Sequence, residues 1–141
     1  MKINTLSIKT ALMAVALLGA GSHAQQSGGR VVLLSELAQK GETARQTYDR
    51  VIAQNDYVAV KFYLPHCTPC KALAPEFAAL AQKHTNILFI EIDATLYDEL
   101  SNQLKVQSAP TLILYKNHKQ VVRWVGGDKQ RLRSEVDRLL Q

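Results

Sequence analysis

Apolar and polar positions change their period several times along the chain, and each change delimits an element. Val31-Val32-Leu33-Leu34 is a short apolar run of strand type. From Ser35 to Gln54 the apolar positions are Leu37, Ala38, Ala44, Tyr48, Val51 and Ile52, the later ones at helical spacing, and Asn55-Asp56 breaks that helix. Tyr57 to Tyr63 is β-branched, aromatic and almost continuously apolar, the pattern of a strand covered on both faces at the centre of a sheet. Thr68 to His84 puts Leu73, Phe77, Leu80 and Ala81 on one face of a helix that Pro75 is expected to kink. Ile87 to Asp93 repeats the buried-strand pattern, and Leu96, Leu100 and Leu104 predict a short helix between Leu96 and Val106. Thr111–Tyr115 and Gln120–Val125 read as two strands joined across the polar connection Lys116-Asn117-His118-Lys119. Gly126-Gly127 then ends the sheet, and Asp128 caps a last helix, Lys129 to Leu140, with Leu132, Val136, Leu139 and Leu140 facing inward. Trp124, near a strand end, reads as exposed, either packed locally or part of a partner surface.

Helices that cross over between the early strands, followed by a late hairpin, predict an α/β domain with a mixed central β-sheet flanked by helices on both faces. The length of 141 residues allows one such domain, expected over residues 31–141 after a flexible lead-in at residues 25–30. Residues 1–24 follow a different logic. Lys2 and Lys9 flank a polar start, Ala11 to Leu18 is apolar, and small residues lead to Ser22-His23-Ala24, the pattern of a secretory signal peptide cut before Gln25. A membrane anchor is the competing reading, but a spanning helix needs about twenty apolar residues and this run has about ten. A cleaved signal places the mature protein in a periplasm or outside the cell, without stable membrane insertion. Loss of the signal's two lysines lowers the net charge from +5 to +3, and no basic block or stacking set of aromatics accompanies it, which argues against nucleic acid as a partner. Export bears more directly on the cysteines, since disulfides form and persist outside the cytosol.

The only cysteines lie in Pro65-His66-Cys67-Thr68-Pro69-Cys70-Lys71, where the apolar strand gives way to the helix. Their spacing brings both sulfurs within reach on the first helical turn, and Cys67 stands where unpaired N–H groups and the helix dipole favour negative charge. A lowered thiol pKa follows, so that Cys67 attacks a substrate disulfide and Cys70 then attacks the mixed disulfide to release it. Pro69 preorganises the first turn where its missing N–H is harmless. Lys71 is a further cation able to tune the pair, and it occupies the position where haem attachment requires histidine. A purely structural disulfide is an alternative, although closing so short a loop stabilises little. A metal site is another, and His66, His84 and His118 supply neither a second cysteine pair nor a matching histidine spacing. No metal or other cofactor is expected.

The stretch Val58 to Pro75, VAVKFYLPHCTPCKALAP, resembles the active-site strand and helix of the thioredoxin family, including the proline after the second cysteine. Val106-Gln107-Ser108-Ala109-Pro110-Thr111-Leu112 resembles the family's cis-proline loop, and Val125-Gly126-Gly127 its glycine turn. The resemblance covers nearly all of the domain and implies a thioredoxin-like fold. It implies that Pro110 is cis and packs beside the sulfurs, that the Ala109 backbone pairs with substrate peptide, and that Gly126 or Gly127 lets a substrate backbone come close. An ordinary trans turn and a plain strand terminator are the alternatives. Two positions depart from the family. His66 replaces a tryptophan; as an imidazolium it favours the Cys67 thiolate, and as a neutral ring facing solvent it does little. Lys61 replaces a buried acid that helps deprotonate the resolving thiol. It is either a proton acceptor with a pKa lowered by burial or, the favoured reading, a stem lying on apolar surface with its amine in water.

The expected function is therefore that of a cofactor-free, monomeric thiol–disulfide oxidoreductase acting on disulfides of exported proteins. Thr68-Pro69 is nearer to the Gly-Pro of reducing family members than to the Pro-His of strong periplasmic oxidases, which favours the reducing or interchange direction. The resemblance implies a membrane thiol relay as electron donor. A disulfide oxidase or isomerase is the alternative within the class, and a non-redox binding scaffold is the alternative outside it.

Overall fold

The computed structural model describes residues 28–141. The expected signal segment and the first part of the lead-in lie outside the described residues. Gly28 to Arg30 form a turn whose Arg30 guanidinium pairs with Glu36 at 2.8 Å.

The central strand is β2 (Tyr57–Tyr63), and its five inner residues are all buried, as its apolar continuity predicts. It pairs in parallel with β3 (Leu88–Asp93) and antiparallel with β4 (Thr111–Lys116). A short edge strand, β1 (Val31–Leu33), runs parallel to β3, and β5 (Lys119–Val125) closes the other edge antiparallel to β4. The order β1-β3-β2-β4-β5 makes a five-stranded mixed sheet with helices on both faces, the architecture expected of an α/β domain with this element order.

Alternation along β2 divides the core into two layers. Val58, Val60 and Phe62 pack with Tyr48, Val51 and Ile52 of α2 (Ala44–Gln54) and Leu100 of α4 (Asp98–Gln103). Ala59 faces the opposite way, among Leu73, Phe77 and Leu80 of α3 (Thr68–Lys83) and Leu132, Val136 and Leu139 of α5 (Lys129–Leu139). Phe77 and Phe89 meet edge to face at 5.1 Å in this second layer. Pro75 stands inside α3 without ending it, and Asp128 caps α5 by accepting from the Arg131 N–H. The β4–β5 turn is made by Asn117 and His118 at φ 49° and 67°, the pair of positive φ values that lets a two-residue turn match strand twist.

Two expectations need correction. The helix read over Ser35–Gln54 is two helices, α1 (Leu34–Leu37) and α2, because Gly41 takes φ +84° between them and Thr43 starts α2 with a capping box completed by Gln46. Trp124 is buried, 6 % exposed, because alternation along β5 turns it into the α3/α5 layer, where the Arg131 guanidinium lies 5.0 Å above its ring.

The α1–α2 loop is clamped by Arg50, which donates to Leu37 O and to both Glu42 carboxylate oxygens at 2.6–2.9 Å. This pairing holds the Glu42 carboxyl down at about 2. A carboxyl depressed in the folded state stabilises above its ordinary pKa of 4.5, and that contribution disappears as pH falls through about 2. Acid unfolding of Glu42→Gln is therefore expected to lack this component, its stability falling less than wild type between those two pH values in chemical denaturation.

Candidate active site

The end of β2 delivers Leu64-Pro65-His66 to the start of α3, and Cys67 is the N-cap of that helix in extended geometry. Its Sγ accepts the Cys70 N–H at 3.2 Å and lies 3.6 Å from the Ala109 carbonyl oxygen. Cys67 and Cys70 are joined as a disulfide with Cα atoms 5.2 Å apart. Cys67 is partly exposed, whereas Cys70 is buried at 3 %, so the first sulfur is open to a partner and the second is not. An N–H aimed at Sγ from the first turn of a sixteen-residue helix stabilises negative charge on that sulfur once the disulfide is reduced.

The Ala109–Pro110 bond is cis, and the loop it shapes brings residues 42 positions downstream against Cys67. Gly126, at φ +113°, donates its N–H to Pro110 O at 2.9 Å and so ties the end of β5 to this loop. A close backbone approach within the chain falls at the next residue. A Cβ on Gly126 meets nothing within 4 Å, while one on Gly127 comes to 3.0 Å from the Pro69 carbonyl. Gly127→Ala is thus expected to displace the Cys67–Cys70 turn and lower disulfide turnover several-fold, with stability reduced by about 1 kcal/mol; parallel turnover assays and thermal melts check both.

His66 is exposed beside Cys67, and Lys71 is exposed one residue beyond Cys70. Lys61 departs from its favoured reading. It is 2 % exposed, with Nζ 2.5 Å from Glu91 Oε1 and 5.0 Å over the Phe77 ring. β2 is central and α3 covers it, so the lysine stem is buried, and the carboxylate of its register partner on β3 pairs with the amine. Glu91 is the site residue that the reading by elements passed over. Its signal was a lone acid in the run Leu88-Phe89-Ile90-Glu91-Ile92, matched by a lone lysine in the neighbouring buried strand. A cavity of about 230 Å³ is lined by Lys61, Tyr63, Pro65, Cys70, Lys71 and Glu91. The Tyr63 phenol there is pushed up, chiefly by burial, with Asp93 and Glu91 adding. On the other side of Leu64, a groove of about 170 Å³ runs past Asp98, Asn102, Val106 and Ser108 to Ala109.

Comparison with known proteins agrees with this geometry. The family model described as Thioredoxin matches residues 39–138. Thioredoxin H5 of Oryza sativa subsp. japonica is 34 % identical over 120 residues, covering 85 % of this chain and 86 % of that protein. Protein disulfide-isomerase of Drosophila melanogaster is 42 % identical over 74 residues, which cover 50 % of this chain and 15 % of that protein. Among solved structures, a mutant thioredoxin from Halobacterium salinarum NRC-1 aligns with a TM-score of 0.68 at 26 % identity, covering 83 % of this chain and 96 % of that one.

Proposed function

Because this chain belongs to the thioredoxin family and is a thiol–disulfide oxidoreductase, we propose that it works in the reducing or interchange direction on disulfides of exported proteins. The observation that carries the reading is the position of Cys67 Sγ, partly exposed at a helix N-cap and beside the Ala109 carbonyl. The Cys67 thiolate attacks one sulfur of a substrate disulfide, forming a mixed disulfide and expelling the other sulfur as a thiolate. Cys70 then attacks Cys67 Sγ, which restores the intramolecular disulfide and leaves the substrate reduced by two electrons. Substrate peptide lies along the Ala109–Pro110 loop, with the groove beyond it receiving neighbouring side chains.

The Thr68-Pro69 dipeptide supports the reducing direction, and the signal-like pattern of residues 1–24 supports a periplasmic or secreted location. The pair itself carries the electrons with no bound cofactor, resupplied by a membrane thiol relay, and the protein acts as a monomer. A second reading, disulfide oxidation, is supported by His66, which stands beside Cys67 where the family has tryptophan.

The deciding measurement is the reduction potential of the pair in glutathione and dithiothreitol buffers with thiol trapping. A value near about −270 mV is expected for the reductase, and one near about −120 mV would transfer the assignment to an oxidant. A pair that does not cycle would leave only a binding scaffold.

A further inference from the structure

We propose that Arg123 is a positioning residue for substrate recognition, its guanidinium locking the joint between α4 and the Ala109–Pro110 loop and so setting the width of the groove that receives a protein substrate. The inference rests on the reading of that loop as the place where substrate peptide lies.

Arg123 stands on β5 opposite Ile113 of β4. Register partners share a face of a sheet, and Ile113 belongs to the layer that packs with α2 and α4, so Arg123 extends toward the end of α4. Its Nη1 donates to Leu104 O at 2.8 Å and its Nη2 to Lys105 O at 2.7 Å. Among the described residues no carboxylate pairs with it, and both of these charge-assisted bonds go to main-chain carbonyls. What they hold is the turn by which α4 ends. The Lys105 N–H donates to Asn102 O and the Val106 N–H to Ser101 O, with Lys105 at φ 55°, the paired arrangement that closes a helix on a left-handed residue. That residue is usually glycine or asparagine. A lysine in this conformation persists only where its surroundings over-determine it, and Arg123 takes the two carbonyls that lie beyond the last helical hydrogen bonds.

The joint matters because the groove beside Ala109 has one wall on each side of it. Asp98, Ser101 and Asn102 line the groove from α4, and Val106 to Ala109 line it from the loop. Leu104 and Lys105 connect the two walls, so the direction in which the chain leaves α4 fixes their separation. The far end of the loop is tied back by Gly126, just after β5, whose N–H donates to Pro110 O at 2.9 Å. One end of β5 thus grips the loop at both of its ends. The Cys67 sulfur is stabilised from elsewhere, since the N–H aimed at it belongs to Cys70 of α3. Loss of the Arg123 grip therefore weakens binding of a protein substrate and spares attack on a small disulfide, which needs no groove.

Initial rates of insulin reduction at graded insulin concentration, with dithiothreitol as reductant, give KM and kcat. Stopped-flow reaction of the reduced protein with 5,5′-dithiobis(2-nitrobenzoate) gives the reactivity of Cys67 toward a small disulfide. Arg123→Met, which keeps the stem and removes the donors, is expected to raise KM for insulin about 5- to 20-fold, with kcat and the small-disulfide rate within about twofold of wild type. Arg123→Lys keeps the charge but loses the fork that spans both carbonyls, and is expected to raise KM about 2- to 5-fold. Should Arg123→Met fail to fold, Arg123→Lys decides alone. An insulin KM equal to wild type in the folded variants overturns the proposal, as does a small-disulfide rate that falls in step with kcat/KM for insulin, the mark of a merely structural role. Wild-type protein that reacts with the small disulfide and leaves insulin unreduced would instead overturn the substrate reading on which the inference rests, a failure seen without any variant.

Discussion

Cys67→Ser is expected to lose reduction of insulin disulfides by at least about a thousandfold while keeping its fold, as removal of a covalent nucleophile does. The substitution separates chemistry from structure unusually well. Serine is a favoured N-cap, so its hydroxyl accepts the Cys70 N–H that Sγ now accepts, and α3 keeps its first turn. The disulfide lost with it closes only a three-residue separation, so its contribution to stability is small. Cys70→Ser gives a different signature: attack still occurs, resolution does not, and a covalent complex with substrate accumulates that mass spectrometry of acid-quenched mixtures detects. Full insulin reduction by Cys67→Ser would mean that the sulfur at the N-cap is not the nucleophile.

The second large effect is one of stability, and it is asymmetric. Glu91→Ala is expected to cost about 3–5 kcal/mol, because it removes the counter-charge of a Lys61 ammonium that is only 2 % exposed. Lys61→Met is expected to stay within about 1 kcal/mol of wild type, since the new side chain suits its apolar surroundings and the partly exposed Glu91 recovers hydration. Guanidinium denaturation of both variants in the oxidised state measures the difference. Equal losses would show that the two charges are equally dependent on each other and that their unequal exposure has no energetic consequence.

Most of the architecture was legible because its signals are local. The unbroken apolar character of Tyr57–Tyr63 marked the central strand, the Asp128 cap marked α5, and the two cysteines stood where a helix start follows that strand. What escaped depended on pairing between elements. The break at Gly41 was hidden because α1 and α2 together mimic one imperfect helical period. Trp124 looked exposed until the alternation of β5 was fixed by its partner Leu112. Lys61 looked like a snorkelling side chain until the register of β2 against β3 set Glu91 beside it. The close approach of Gly127 to Pro69 joins segments far apart in the chain, and no window of sequence contains it.

The antiparallel register of β2 and β4, with Phe62 opposite Thr111, has a further consequence. Cys67 follows the end of one strand and Ala109 precedes the start of the other, so the ladder between them sets how thiol and carbonyl meet. A slip of one residue would displace them by about 3.4 Å and exchange the side chains that the slipped strand presents to the two core layers. Reactivity is thereby coupled to maturation of the chain. A molecule still searching for its central pairing carries two ordinary thiols, and the poised one arrives together with the native register.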